Sequence, residues 1–505
     1  MKFPALKKIK RTVEIRRSFG GYVHNEGTPE GAFYDMENLT SDQYPLLCVR
    51  PKRAVWRGAE YDENGVMTGY KGEMLLTGLT AAVNAGDKLC YCSRSGVYIN
   101  GVLTENCPLD PDVVNRSAVP FGRDLFIAPD GILIRDGGSG DLTVQTVAED
   151  GDSMPVLDFA AEHNNRVWGC RYGENENGEF VNEIYASALG DPLTWRKYDG
   201  ISTDSYCASL GSAGEFTGMA TLGGDILFFK ENAIIRVSGS TPSDFSVETF
   251  PARGVEKGAH NSIVNLNEKI FYKGRNGINV YDGALPYCIS EDLGTGVFTD
   301  AAAGGVKGKY YVSMTDGEGR RGIFVYDTLH GTWHRENDSN TRRFVTVKNC
   351  LFAFHLDATM GAPLIPVYVF SLRLHDRNAL TDPQNVFTGK ETEPVQYADE
   401  DAVEWFALTG RLGAREAETR LLRTLLFRIS TGEDAVFRVR AINEESGTDV
   451  LLYTTEGRTD GTVSIPVMLP RCDSYRLRLE GKGDCTVFSA AACYEKTNEV
   501  NMLGR

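Results

Sequence analysis

Seven times between residues 89 and 371 the chain repeats one two-part phrase: a short apolar run, a polar turn with Gly or Asn, and a second apolar run ending in a turn. The copies are "LCYCSRSGVYING" (89–101), "DLFIAPDGILIRDG" (124–137), "NRVWGCRYGENENGEFVNEIYASAL" (165–189) and "DILFFKENAIIRVSG" (225–239), followed by "EKIFYKGRNGINVYDG" (268–283), "GKYYVSMTDGEGRRGIFVYDT" (308–328) and the weaker "NCLFAFHLDATMGAPLIPVYVFS" (349–371). Anchored on Val97, Ile132, Ile184, Ile235, Ile278, Ile323 and Val369, the steps are 35, 52, 51, 43, 45 and 46 residues. One four-stranded blade of a β-propeller, with strands of ~5 residues and their turns, takes ~40–50 residues. Runs such as "DILFF" and "KIFY" are apolar on nearly every residue, as expected of inner strands buried on both faces between neighbouring blades. The spacing therefore predicts a propeller of six or seven blades, in preference to a tandem of β-sandwiches, whose strands alternate more strictly.

Two turn phrases each carry a tryptophan, Trp195 in "GDPLTWRKYDG" (190–200) and Trp333 in "YDTLHGTWHRE" (326–336). A large ring at that point is expected to wedge between blades. The phrase stops near 371, and the polar stretch 372–401 reads as a linker or wrapped loop. From 402 to 505 seven strand-like runs follow, beginning with "AVEWFALTGRL" around Trp405; in "YRLRLEG" Tyr475, Leu477 and Leu479 alternate with Arg476 and Arg478. Such a series predicts an antiparallel β-sandwich of jelly-roll or immunoglobulin-like type, with "LLRTLLFRI" open to a helical reading as well. The expected layout is an all-β chain: a basic arm over 1–17, a propeller with an N-terminal strap over 18–371, the linker, then the sandwich.

Hydrophobic residues at 42% and charged residues at 24% exclude wholesale disorder. Eleven cysteines, odd in number and without a CxxC, exclude a disulfide framework and a zinc ribbon; Cys90 and Cys92 read as buried apolar residues. No apolar run approaches the ~20 residues of a membrane span, and the basic N-terminus lacks the apolar core of a secretory signal, so a protein made in the cytoplasm is expected. Net charge is −16, yet residues 1–17 hold seven Lys and Arg against Glu14, leaving −22 for the body. An acidic body is a poor nucleic-acid clamp. The arm residues Lys7, Lys8, Lys10, Arg11, Arg16 and Arg17 are the candidate contacts to an acidic partner, or else a solvated tail.

Between arm and first blade, residues 18–53 spend Phe19, Tyr22, Phe33 and Tyr34 on a stretch rich in Gly and Pro. This reads as an extended strap whose aromatics dock on the propeller and whose end, "YPLLCVRPKR", adds a strand to the ring.

The motifs of common active sites are missing: no phosphate loop, dinucleotide fingerprint, nucleophile elbow or HExxH. His330 and His334 are four apart but flank a turn, so they need not converge on a metal. Propellers host glycosidases, which makes Asp204, Glu215 and Asp282 carboxylates to examine, and acidic turns such as "ENENGE" read as solvated hairpin tips. From the residues alone the chain is expected to be no enzyme and to need no metal or cofactor.

"SFGGYVHNEGTPEGAFYDMENLTSDQYPLLCVRPKR" resembles the N-terminus of structural proteins of tailed bacteriophages and prophages of Gram-positive bacteria. The shared features are the small-Gly-Gly-aromatic start, an acidic Gly-rich patch, Asp-Met-x-Asn-Leu, and Tyr-Pro ahead of Arg-Pro. "VEWFALTGRL" and "LPRCDSYRLRLEGKGDCTVFS" are similar to the last domain of the same group, and the whole resembles, more distantly, propeller-bearing tail hub and packaged-DNA stabilisation proteins. The resemblance implies a virion component at the head–tail junction or tail, forming rings, docking portal, adaptor or tail subunits, and meeting DNA only in passage. The alternative it leaves is a tail-tip protein that binds or hydrolyses host-surface glycan.

Overall fold

A computed structural model describes residues 11–496, apart from 56–57, 62–66, 72–77, 95, 100–101, 139–141, 148–153, 338–339, 348, 357–366, 372–397, 400–401, 413–419, 444–446 and 469–473. Seven antiparallel sheets follow one another along the chain. Blade 1 is Ala81–Ala85, Lys88–Cys92, Val97–Ile99 and Val102–Leu103, and blade 2 is Ser117–Phe121, Asp124–Ala128, Ile132–Asp136 and Leu142–Thr146. Blade 3 runs from Phe159–His163 to Tyr206–Ser209, blade 4 from Phe216–Leu222 to Ser246–Pro251, blade 5 from Val264–Leu266 to Tyr287–Cys288, and blade 6 from Thr299–Val306 to Thr332–Asn337. Blade 7 has Thr341–Val347, Cys350–Leu356 and Val367–Ser371 from this end of the chain. Its next strand is Ala54–Val55, which lies ahead of blade 1 and pairs with Phe370 and Ser371. The first strands of successive blades touch in order, and that of blade 7 touches that of blade 1, so the ring closes on seven.

Each repeated phrase corresponds to the second and third strands of a blade, with its turn as the hairpin between them. The innermost strands differ from the expected apolar runs: "AAVNA" and "TDAAAGGV" are built from small residues. Blades crowd most at the axis, and a Cβ on Gly304 would lie 2.8 Å from Leu351 of blade 7, one on Gly305 2.9 Å from Val264 of blade 5. "DILFF" and "KIFY" occupy the wider second position, buried on both faces.

The sandwich is drawn from both ends of the chain, so the division expected at residue 18 is redrawn. One sheet runs Leu39–Thr40, Leu47–Val49, Cys485–Lys496, Arg420–Thr431, Asp460–Pro466, with Arg11–Arg16 also paired to Cys485–Lys496. The facing sheet runs Phe33–Glu37, Glu404–Thr409, Arg476–Lys482, Val436–Asn443, Thr448–Glu456. "LLRTLLFRI" is strand, its Phe427 packed edge-on to Phe437 of the opposite sheet at 6.0 Å. The chain steps from one sheet to the other at buried Asn38, whose φ of 61° is a left-handed value that Asn tolerates. The propeller is thus inserted between the N-terminal and C-terminal strands of one sandwich. Of the linker, only Ala398–Asp399 is described, as a strand beside Ala54–Val55.

The strap laces the two units along the outer strand of blade 6. Tyr22 N–H donates to the Trp333 carbonyl at 2.6 Å, Asn38 N–H to that of Arg335 at 2.9 Å, and Asn337 N–H to Asn38 Oδ1 at 3.0 Å. At Gly21 the approach is so close that a Cβ would run into the Trp333 carbonyl, which is why "RSFGG" carries no side chain there. A single hydrophobic core runs from blades 4–6 through Phe19, Tyr22 and Phe33 into Phe427, Val439 and Leu479 of the sandwich.

Candidate functional site

Three inner strands carry a β-bulge at their starting ends, between Phe216 and Gly218 in blade 4, Thr299 and Ala302 in blade 6, and Thr341 and Arg343 in blade 7. All lie on one face of the ring, where each inner strand begins. A bulge kinks its strand and re-aims side chains, and such irregularity collects at binding sites. Here it turns Arg342 and Arg343 in different directions. Arg342 pairs with Asp300 of blade 6, and Arg321 donates to the same carboxylate at 2.7 Å and to the Asp300 carbonyl at 2.8 Å. Asp300 itself sits at φ 56°, an uncommon backbone for a residue other than Gly.

Arg343 reaches over the channel. Its guanidinium donates to the Thr80 carbonyl beside blade 1 at 3.0 Å and to Asn261 Oδ1, just ahead of blade 5. The turn His260–Ser262 leans across from its own blade, and the His260 ring meets Phe159 of blade 3 at 5.3 Å. Residues from blades 1, 3, 5 and 7, none adjacent to another except blades 7 and 1, therefore meet at one mouth of the channel and narrow it. Burial, then the neighbouring Arg343, lowers the His260 pKa to about 3, and burial lowers that of Arg343 to about 10. The imidazole is neutral at pH 7, and the guanidinium keeps its charge.

At this mouth Arg321 and Arg342 share the Asp300 carboxylate, and Arg343 stands beside them. Among the described residues Arg343 has no carboxylate partner, the Arg342 Nε–H is buried without an acceptor, and the His260 ring makes no hydrogen bond. Arg116, close by on Thr80, is by contrast fully buried against Asp130 at 2.7 Å.

The residues singled out from sequence lie elsewhere. Asp204 is buried in a turn of blade 3, accepting from the Gly200 and Ile201 N–H groups, Glu215 pairs with Lys257, and Asp282 caps the turn at Ala284; they do not converge. His330 Nδ1 donates to the Asp327 carboxylate at 2.9 Å beneath the Tyr44 ring, whereas His334 is buried with its Nδ1 unpartnered and its pKa lowered by burial to about 3. No cluster of His, Cys, Asp or Glu able to hold a metal occurs among the described residues.

Lys7, Lys8 and Lys10 lie outside the described residues. Arg11 and Arg16 belong to a strand of the sandwich, with Arg11 on Glu495 at 3.2 Å and Arg16 paired with Glu30, and Arg17 is exposed beyond it. This part of the arm is a strand and not a loose tail. Phe19, Tyr22 and Phe33 are buried in the strap, and Tyr34 carries the Arg476 guanidinium over its face at 3.9 Å. Trp195 fills the space between blades 2 and 3, Trp333 donates to the Ile289 carbonyl between blades 5 and 6, and Trp405 packs inside the sandwich.

Between the two sheets of the sandwich lies a cavity of about 340 Å³, lined by Phe33, Leu425, Phe427, Leu479 and the small side chains Ala490 and Ala492. Its lining also takes in the charged side chains of Glu14, Arg16, Glu26, Glu30 and Arg411. Signals for the channel mouth existed in "AHNS" (259–262) and "TRRF" (341–344), a turn with His and Asn and an arginine doublet opening an apolar strand, but nothing local ties them together.

The fold defines a seven-bladed β-propeller inserted into a β-sandwich. No family model matches the chain, and no curated protein does. Solved structures it is similar to include an exo-β-1,3-galactanase from Phanerochaete chrysosporium in complex with β-1,3-galactotriose, 9% identical with a TM-score of 0.25 over 87% of this chain and 100% of that one. Trypanosoma rangeli sialidase is 9% identical with a TM-score of 0.28, covering 89% and 97%, and AztD from Citrobacter koseri is 12% identical with a TM-score of 0.37, covering 63% and 97%. The expectation of a chain that is no enzyme is corrected at this point, because enzymes stand among its structural neighbours. Similarity at this level concerns the fold alone, and no active-site residue is carried across. No helix among the described residues is long and apolar enough to cross a membrane.

Proposed function

We propose that the chain is a structural component of a tailed-phage virion, placed at the head–tail junction or tail and docking neighbouring portal, adaptor or tail subunits in a ring. The observation that carries this reading is the outward face of the sandwich sheet. There Val13 and Ile15 are 54% and 53% exposed, Met468 is 87% exposed, and the row Ile15, Ala491, Leu426 runs across three paired strands. Phe488 adds a further exposed ring, and exposed Arg423 and Arg428 stand in the same sheet. An apolar patch rimmed by cations suits a subunit surface with an apolar centre and an acidic edge. The body behind it is stiff, because one core joins propeller and sandwich.

The test is to mix the chain with portal and adaptor proteins of the same genome and image the product by negative stain. Rings containing this chain are expected, and Val13→Lys with Ile15→Lys is expected to prevent them. Absence of any complex with the wild-type chain contradicts the reading. A second reading, contact with host-surface glycan, is favoured by the arginines of the channel mouth.

A further inference from the structure

We infer that the cavity between the two sheets of the sandwich binds a neutral amphiphile, a straight alkyl chain with an uncharged polar head. The inference stands apart from the virion and glycan readings, since it uses neither the outward face of the sheet nor the channel mouth. At about 340 Å³ the space falls within the ~300–1,000 Å³ range of small-ligand sites. Its origin lies in the strand pairing. On the inward side of one sheet the rows Arg16, Ala490, Phe427 and Glu14, Ala492, Leu425 cross three strands. Facing them are Phe33, Thr409, Leu477 and Leu479 of the other sheet. Packed sheets stand ~10 Å apart, a gap that side chains fill from both sides. At Ala490 and Ala492 one side contributes only a methyl group. Both alanines are only partly buried, while Leu425 and Phe427 beside them are each 2% exposed. Apolar walls left in this way gain from a guest that displaces water from them.

Shape and charge select the guest. The inward positions Ala490, Ala492 and Tyr494 follow one strand for ~13 Å, about the length of an extended ten-carbon chain. The charged groups of the lining already have partners. Arg16 pairs with Glu30 and Arg411 with Glu26, each joining the sandwich to the strap turn 26–30, and Glu14 is engaged as well. A charged head would have to break one of these pairs to gain its own. A hydroxyl head accepts from a guanidinium or donates to a carboxylate with both left in place.

Calorimetric titration of the full chain tests this with decanol, hexanol, decanoate and decyltrimethylammonium, each below its micelle concentration. Decanol is expected to bind at least about tenfold more tightly than hexanol, because its longer chain takes more methylenes out of water. It is also expected to bind more tightly than either charged chain, and to slow amide exchange in Arg11–Arg16, the strand that carries Glu14 and Arg16. Ala492→Leu, which fills the space, is expected to abolish binding without lowering the thermal midpoint. Val13→Lys, on the outward face of the same sheet, is expected to leave binding unchanged. Equal affinity for the two alcohols overturns the alkyl-chain site, and tighter binding of decanoate or decyltrimethylammonium overturns the neutral head. Binding that survives Ala492→Leu places the ligand elsewhere and overturns the assignment, as does the absence of binding. Should Ala492→Leu fail to fold, Ala490→Leu and the exchange measurement decide the matter.

Discussion

The propeller and the sandwich are both antiparallel β-structure, but they are assembled from opposite kinds of contact. Six of the seven blades are four strands consecutive in the chain, so their pairings are local. In the sandwich, Leu47 pairs with Val487 and Arg11 with Glu495, partners from the two ends of the chain. Loop-closure entropy makes such distant pairs costly to form until something holds the ends together. The strap does that, since residues 21–38 are bonded to the outer strand of blade 6 and Ala54–Val55 closes blade 7. The difference teaches that neither unit is independent: the strap that leads into the ring-closing strand also supplies three strands to the sandwich.

The largest expected effect comes from removing that segment. Deletion of residues 18–53 takes strands from both sheets of the sandwich, and the chain is expected to lose cooperative thermal unfolding by circular dichroism. A melt as sharp as that of the full chain would break the comparison. A smaller and more local effect is expected at the buried ion pairs beneath the strap. Arg53 donates to Glu336 at 2.9 Å with both side chains 7% exposed. Glu336→Gln is expected to cost about 1–3 kcal/mol in urea unfolding, since it removes the carboxylate charge that buried Arg50 and Arg53 both face.

Acid should loosen the same junction. His334 is kept neutral in the folded chain, its pKa lowered by burial from the ordinary 6.5 to about 3. A lowered folded-state value means that its contribution is fully present above pH 6.5 and is lost as pH falls toward 3. Within that window the slope is at most about 1.4 kcal/mol per pH unit. His334→Gln is expected to flatten the stability–pH curve there, and an unchanged slope would assign the acid sensitivity to other groups. The smallest effect is expected at the channel mouth. Arg343→Met removes a charge that has no carboxylate partner among the described residues, so unfolding free energy should change by no more than about 1 kcal/mol. A loss as large as that of Glu336→Gln would make Arg343 a structural residue and sharpen the contrast in the other direction.

The same contrast explains what could be read from the residues. "DLFIAPDGILIRDG" became the adjacent strands Asp124–Ala128 and Ile132–Asp136, because hairpin partners are encoded side by side. The seven copies of that phrase correspond to the seven blades. The innermost strands escaped because crowding at the axis selects Ala and Gly, which erase the apolar signature. The aromatics of the strap were legible as buried, but not the two surfaces they join, since alternation in "FYDME" says nothing about a partner strand that begins at Glu404. The mouth was harder still. Arg343, Asn261, Thr80 and Phe159 become neighbours only when the ring closes, and a bulge decides where Arg343 points.

The central claim, that the strap makes ring and sandwich one cooperative unit, is tested most directly by native-state hydrogen exchange in rising urea. Amides of Leu47–Val49, Cys485–Lys496 and Thr332–Asn337 are expected to converge on one opening free energy, equal to that of global unfolding. Exchange of Leu47–Val49 through a low-energy opening, while Thr332–Asn337 stays protected, would contradict it.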